Sequence, residues 1–145
     1  MKIDTKPYLD FEEKFAERRQ SIPTLFAFNE ASLAERLTEL GVSFKNPKDA
    51  IVSIGGGTHF LKSDYAAYKK VVAEGNAEFF ELMKKKRFAT GAFYTVLNAY
   101  EYSWTEDNTE AIEALGYTVE AVYEDAALKA CLEAAEKQIK KEKAL

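Results

Sequence analysis

The stretch "SIGGGTHFLKSDY", Ser53 to Tyr65, decides the fold because three consecutive glycines separate two short apolar segments. The segments "AIVSI" (50–54) and "THFLK" (58–62) have the composition of short β-strands. Glycine readily adopts the positive φ angles that tight hairpin turns require, so the glycines are suited to join the strands. The sequence therefore predicts an antiparallel hairpin over Ser53–Lys62 that turns at Gly55–Gly57.

The same stretch is a near match to the phosphate-binding pattern G-x-x-x-x-G-K-[ST]. Counting from Gly56, Lys62 and Ser63 fall at the right positions, but Leu61 replaces the second glycine. That glycine lets backbone amides close around the phosphates, and a leucine side chain brings bulk to the same place. We therefore interpret the segment as a structural hairpin and expect no nucleotide or other cofactor.

The length and composition indicate one globular domain over residues 1–145. Hydrophobic residues make up 47% of the chain, which suits a packed core. The formal net charge is -4, so nucleic acid and anionic membranes are not expected partners. No apolar run approaches the roughly 20 residues that cross a bilayer, and the N-terminus lacks the pattern of a secretory signal. With a single cysteine, these features favour a cytoplasmic protein.

Helical periodicity covers most of the remaining chain, so the predicted fold class is α+β: mainly helical, with a small antiparallel sheet built on the hairpin. Asn29 is a candidate helix cap, and Gly75-Asn76 is a candidate break in the long helix after the hairpin. A later helix is predicted to carry Trp104 on its apolar stripe, and Cys131 falls on the stripe of the last helix. We expect both of these side chains to be largely buried.

Candidates for ligand binding are few. The chain has one histidine, His59, so a hydrolytic triad or a histidine-rich zinc site would have to include this residue or do without a histidine. An ordinary hairpin residue is the alternative role for His59, and a buried structural thiol is the expected role for Cys131. The ligand candidates are His59, Lys62 and Tyr100; no catalytic and no metal-binding residue is assigned.

The charge pattern is more informative. From Phe88 to Leu128 there is no lysine or arginine, while eight carboxylates and several aromatic residues are interspersed. A field of one sign steers partners of the opposite sign, and aromatic side chains commonly anchor protein interfaces. A solvated acidic face with its aromatics turned inward is the alternative. The interaction candidates are Glu101, Tyr102, Glu106, Asp107 and Glu110.

Three segments together resemble a family of small uncharacterised proteins, a domain of unknown function found in Gram-positive gut bacteria and on their phages and mobile elements. The segments are "FAFNE" (26–30), "VSIGGGTHFLK" (52–62) and "NAYEYSWTEDNTEAIEALG" (98–116). The family pattern has Asn-His-Glu-Tyr-Cys in the third segment. This chain keeps Glu101 and Tyr102 but has Ala99, Tyr100 and Ser103 in place of the asparagine, histidine and cysteine. The resemblance implies no known activity and suggests an accessory role on a phage or mobile element.

These features favour a non-enzymatic interaction protein that offers an acidic, aromatic-rich surface to a basic protein partner. The alternative is a small ligand-binding protein or hydrolase with a cleft between the hairpin and the Tyr100–Trp104 region. The sequence does not specify the partner, the ligand or the oligomeric state.

Overall fold

A computed structural model describes residues 2–41 and 47–144. It is 71% helical with a small three-stranded antiparallel sheet, which confirms the predicted α+β class. Within the described ranges, the elements in chain order are α1 (Lys6–Gln20), β1 (Leu25–Phe26), α2 (Glu30–Glu39), α3 (Pro47–Ala50), β2 (Ile51–Gly55), β3 (Thr58–Leu61), α4 (Lys62–Leu82), α5 (Lys86–Ala99), α6 (Tyr102–Thr105), α7 (Thr109–Ala114), α8 (Val119–Glu124) and α9 (Ala126–Lys143). No helix in these ranges is long and apolar enough to cross a membrane.

The chain divides into two compact units. The hairpin unit is Phe15–Gly75, and the helical unit combines Met1–Lys14 with Asn76–Leu145. The expectation of one domain over residues 1–145 stays a prediction.

The glycine stretch of the hairpin unit forms the predicted turn. Strands β2 and β3 pair antiparallel, with Ser53 opposite His59, and β1 pairs with the other edge of β3. The φ angles of Gly55, Gly56 and Gly57 are 94°, 62° and 78°. Residues with a Cβ atom rarely adopt such positive φ angles at three consecutive positions. The hairpin is therefore confirmed, and residues 58–61 form a paired strand instead of a phosphate-binding loop.

A small apolar core lies beneath this sheet. Asn29 caps α2 by accepting a hydrogen bond from the Ser32 amide at 2.8 Å, as predicted. The cap sets the start of a helix that turns Leu33 and Leu37 inward. The buried members of this core are Leu25, Ala27, Leu33, Leu37 and Ile51.

The predicted break at Gly75-Asn76 is wrong, because α4 continues through both residues. A Cβ at Gly75 would lie 2.4 Å from two ring atoms of Phe15, so the glycine makes room for that aromatic ring. Close packing, and not helix termination, explains this glycine. The sequence "KNPKD" (45–49) also predicts a turn-rich connection, and its first two residues lie outside the described ranges.

The helical unit is built around the packing of α5 against α9. Phe93 and Leu97 of α5 and Leu132 of α9 are fully buried. Cys131 is buried as well, with its Sγ atom 3.7 Å from the carbonyl oxygen of Lys86, which confirms the expected burial of the thiol.

The expected burial of Trp104 is wrong: its side chain is 80% exposed. Helix α5 ends at Ala99 and does not continue through residue 104, so the apolar stripe read from the sequence stops before Trp104. Thr118 is a candidate cap for the last helix in the sequence, but that helix begins later, at Ala126. Thr118 caps the short helix α8, and Asp125 caps α9 by accepting hydrogen bonds from two backbone amides.

Candidate functional site

Helix α6 is a single turn held between two glutamates in the left-handed conformation. Glu101 has φ 58° and Glu106 has φ 55°, and they are the only non-glycine residues with positive φ in the described ranges. This conformation costs a residue with a Cβ roughly 1–2 kcal/mol. Such outliers persist only where surrounding contacts impose them, and they occur preferentially at functional sites.

Tyr102 supplies the main contact that fixes α6. Its side chain is only 2% exposed, and the pKa of its hydroxyl is raised above the ordinary value by burial and by a hydrogen bond to the Glu136 carboxylate. Asn108 donates to the Tyr123 hydroxyl at 3.0 Å and to Glu136 at 3.4 Å. Glu136 of α9 therefore contacts both Tyr102, at the start of α6, and Asn108, which precedes α7, so partly exposed polar contacts link both segments to α9.

Trp104, two residues after Tyr102 on this turn, is exposed to solvent. Lys143, in the last turn of α9, lies 5.2 Å from the centroid of the Trp104 ring and donates a hydrogen bond to the carbonyl oxygen of Ser103. A shallow groove beside the ring is lined also by Asn98 and Glu142. The Glu142 carboxylate accepts from the Tyr94 hydroxyl at 2.7 Å, so one wall of the groove is fixed.

Four of the five interaction candidates are exposed and follow one another around α6: Glu101, Glu106, Asp107 and Glu110. None of them forms an ion pair with another residue of the described ranges. With Trp104 they define what we call the α6 surface. Tyr102, the fifth candidate, is a core residue and does not present its ring to solvent.

Asp107 does not form the capping box that its spacing from Glu110 suggests. Its carboxylate accepts a hydrogen bond from the Thr109 amide at 2.9 Å, and its own amide donates to the Thr105 hydroxyl at 3.1 Å. These bonds close a turn between α6 and α7. The bond from Thr109 holds the pKa of Asp107 below its ordinary value, so the carboxylate is charged at neutral pH.

Cations of α9 adjoin the aromatic residues of this unit. Lys129 lies 5.9 Å from the ring centroid of Tyr123, and Lys140 lies 5.8 Å from that of Tyr102. The segment from Phe88 to Leu128 contains no basic residue, but the fold supplies lysines from further along the chain. The surface is therefore a set of exposed carboxylates beside aromatic–lysine contacts.

The three ligand candidates belong to different units. Tyr100 ends α5 in the helical unit and is 42% exposed, whereas Lys62 begins α4 and His59 lies on β3 in the hairpin unit. The cleft predicted between the hairpin and Tyr100–Trp104 stays a prediction. Within residues 2–41 and 47–144, no group of three or more histidine, cysteine, aspartate or glutamate side chains is arranged to hold a metal ion.

His59 is hydrogen-bonded at both ring nitrogens. Nδ1 lies 2.6 Å from the Ser53 hydroxyl, and Nε2 lies 2.8 Å from the carbonyl oxygen of Ala27. Sequence reasoning did not select Ser53 or Glu136. For Ser53 a signal was available, because the predicted hairpin with its turn at the three glycines places Ser53 and His59 on paired strands. The contact of Glu136 with Tyr102 depends on tertiary packing, so the sequence gives no signal for it.

A family model described as "Family of unknown function (DUF7659)" matches residues 7–138. No curated protein and no solved structure matches the chain. The matched range includes the whole α6 surface and the Ser53–His59 pair. The resemblance to an uncharacterised family is thereby confirmed at the level of the family.

Proposed function

The chain belongs to the DUF7659 family, and we propose that it is a protein-interaction module whose α6 surface binds a basic partner and performs no catalysis itself. The observation that carries this proposal is the strained turn at Glu101 and Glu106, which presents Trp104 with 80% of its side chain exposed. We further propose that the protein works in the cytoplasm as an accessory protein of a phage or mobile element.

The exposure of Trp104 supports an anchoring role. Tryptophan is among the residues that most often dominate the binding energy of an interface, because it buries a large rigid area. The fold does not use this ring in its core, and it positions the ring with a strained turn, a buried tyrosine and a lysine contact. An exposed aromatic held this firmly loses little conformational freedom when a partner covers it.

The carboxylates support a partner of positive charge. Glu106, Asp107 and Glu110 lie within five positions of the chain, are exposed and have no ion-pair partner in the described ranges. Charges at the rim of an interface mainly accelerate association and select partners, whereas the aromatic anchor supplies affinity. The partner surface that fits is an apolar pocket for an indole ring bordered by lysines or arginines.

The test is affinity capture from cells of the source organism, followed by identification of the captured proteins. The variants are Trp104→Ala and a charge reversal that changes Glu106, Asp107 and Glu110 to lysine. We expect Trp104→Ala to abolish capture at every salt concentration. The reversal should weaken it most at low salt, because exposed charges are screened beyond about 8 Å at physiological ionic strength.

Two controls separate the site from general effects. Asp107→Asn keeps a hydrogen-bond acceptor for the Thr109 amide while it removes one charge. Reversal of Glu13, Glu17 and Glu35, which are exposed elsewhere, changes the net charge by the same amount as the triple reversal. Capture that survives both Trp104→Ala and the α6 reversal, or that is lost equally in the distant reversal, would contradict the proposed surface.

A further inference from the structure

We propose that Ser53, His59 and the carbonyl group of Ala27 form a second site, which hydrolyses small neutral esters through an acyl-serine intermediate. The Ser53 Oγ lies 2.6 Å from His59 Nδ1, and His59 Nε2 lies 2.8 Å from the Ala27 oxygen. The Ser53 hydroxyl is thus a candidate nucleophile hydrogen-bonded to His59 as its base, and the Ala27 carbonyl group orients the base. This proposal lies in the hairpin unit and does not depend on the function of the α6 surface.

The hydrogen bonds assign the protons. A carbonyl oxygen only accepts, so Nε2 carries a proton and donates a hydrogen bond to the Ala27 oxygen. In the neutral imidazole Nδ1 is then an acceptor, and the Ser53 hydroxyl is its donor. This is the tautomer in which histidine is able to remove a proton from serine, and the Ala27 carbonyl stabilises the positive charge that results.

The sheet fixes this arrangement from three strands. Ser53 on β2 is directly opposite His59 on β3, and β1 leads into Ala27 along the other edge of β3. The Ala27 amide donates to the Gly57 carbonyl at 2.9 Å, which holds the Ala27 peptide beside the hairpin turn. Because backbone pairing sets all three positions, the geometry is preorganised before any substrate binds.

A small pocket adjoins the pair. It has a volume of about 210 Å³, and Ala27, Phe28, Leu33 and Ile51 line it together with Ser53 and His59. Ser53 is exposed, so water and substrate reach its hydroxyl. Ligand pockets for drug-sized molecules are about 300–1,000 Å³, so this smaller, mainly apolar pocket suits a short acyl chain.

The reaction balances without a cofactor. The Ser53 Oγ forms a bond to the ester carbonyl carbon while its proton moves to His59 Nδ1. The bond from that carbon to the alcohol oxygen then breaks, and the alcohol takes the proton from Nδ1. Water attacks the acyl-serine in the same way: it gives a proton to Nδ1, the acid departs, and the proton returns to Ser53.

The test uses the whole chain with an alkyl fluorophosphonate, which phosphonylates activated serines, and with p-nitrophenyl acetate and butyrate as substrates. We expect the label on the peptide that contains Ser53 and a measurable release of p-nitrophenol. Ser53→Ala should abolish both, while Ser63→Ala, a nearby exposed serine outside the pair, should leave both unchanged.

His59→Gln distinguishes a base from a structural hydrogen-bonding residue. A glutamine amide can bond to both neighbours but cannot accept the serine proton into a cationic form. We expect a folded protein with hydrolysis reduced about 10²–10⁴-fold, the usual contribution of a positioned base. Wild-type protein that is not labelled at Ser53, or hydrolysis that persists in Ser53→Ala, would overturn the proposal.

Discussion

The ammonium group of Lys143 lies 5.2 Å from the ring centroid of Trp104, which places the end of α9 against the most exposed aromatic side chain of α6. A cation at this distance from an exposed indole contributes roughly 0.5–1 kcal/mol. The same ammonium donates to the carbonyl of Ser103, so the lysine binds both the ring and the backbone that carries it. Trp104 is thereby held in a defined direction even though solvent surrounds most of it.

Trp104 is the only tryptophan, so its fluorescence reports on this contact alone. We expect an emission maximum close to that of tryptophan in water and efficient quenching by neutral acrylamide. Lys143→Gln should lower quenching by iodide, because it removes a cation that attracts the anion, and should leave acrylamide quenching unchanged. A blue-shifted emission that acrylamide barely quenches would show that the ring is buried.

The errors at Trp104 and Gly75 show where the local sequence pattern is insufficient. Helix α5 ends without a glycine or proline near Ala99, and the chain reverses at Glu101, a residue type that rarely adopts the left-handed conformation. Nothing in the apolar spacing indicates that stop. The continuity of α4 through Gly75 likewise depends on the Phe15 ring, which belongs to a distant segment of the chain.

The hairpin was predictable because three adjacent glycines leave the chain few alternatives to a turn. The acidic members of the α6 surface were predictable as a group, since they are close in sequence and no basic residue lies among them. The Ser53–His59 pair requires the strand register, and the anchoring of Tyr102 requires Glu136 from another helix. Contacts of this kind become visible only when the elements are packed.

Gly75→Ala is expected to destabilise the protein, although alanine is normally better than glycine in a helix by about 1 kcal/mol. The added Cβ would lie 2.4 Å from two atoms of the buried Phe15 ring, so the ring or the helix must shift. Overpacking of this kind typically costs about 1–3 kcal/mol. Urea unfolding of the two proteins measures the difference.

Asn76→Ala is the matched control, because it places alanine at the next, exposed position of α4 and should stabilise slightly. Phe15→Ala destabilises by itself, but Gly75→Ala added to it should no longer destabilise further. If Gly75→Ala stabilises the wild-type protein as much as Asn76→Ala does, the close contact with Phe15 is not a constraint.

Asp107 is expected to make the free energy of unfolding decrease as the pH is lowered into the acid range. The Thr109 amide lowers the folded-state pKa of Asp107 below its ordinary value of 3.8. The carboxylate therefore stabilises the fold above about pH 3.8, and this contribution is lost as the pH falls through the lower folded pKa. Asp107→Asn keeps an acceptor but has no proton to gain in this range.

The measurement is the free energy of unfolding of wild type and Asp107→Asn between about pH 2 and pH 7. Other carboxylates titrate in both proteins, so the difference between the two curves isolates Asp107. We expect wild type to be the more stable at neutral pH and the difference to shrink below about pH 3.8. A difference that is constant with pH, or that grows in acid, would mean that folding does not lower this pKa.

Replacing Glu106 by glycine is expected to stabilise the protein while it weakens partner capture. Relief of the left-handed conformation at φ 55° gains roughly 1–2 kcal/mol, and the greater freedom of glycine in the unfolded chain offsets about 0.4–1 kcal/mol. The net gain is about 0–1.6 kcal/mol. Each kcal/mol raises the Tm of a chain of this size by about 2–4 °C.

Two variants separate strain from charge at this position. Glu106→Gln removes the charge and keeps the strain, so its stability should stay within about 0.5 kcal/mol of wild type. Glu110→Gly places glycine within the right-handed helix α7 and should destabilise by about 1 kcal/mol.

Because glycine also frees the end of α6, Glu106→Gly should lower capture more than Glu106→Gln does, although both lose the same carboxylate. If calorimetry finds Glu106→Gly no more stable than Glu106→Gln, the left-handed residue stores no strain, and α6 would present Trp104 at no conformational cost.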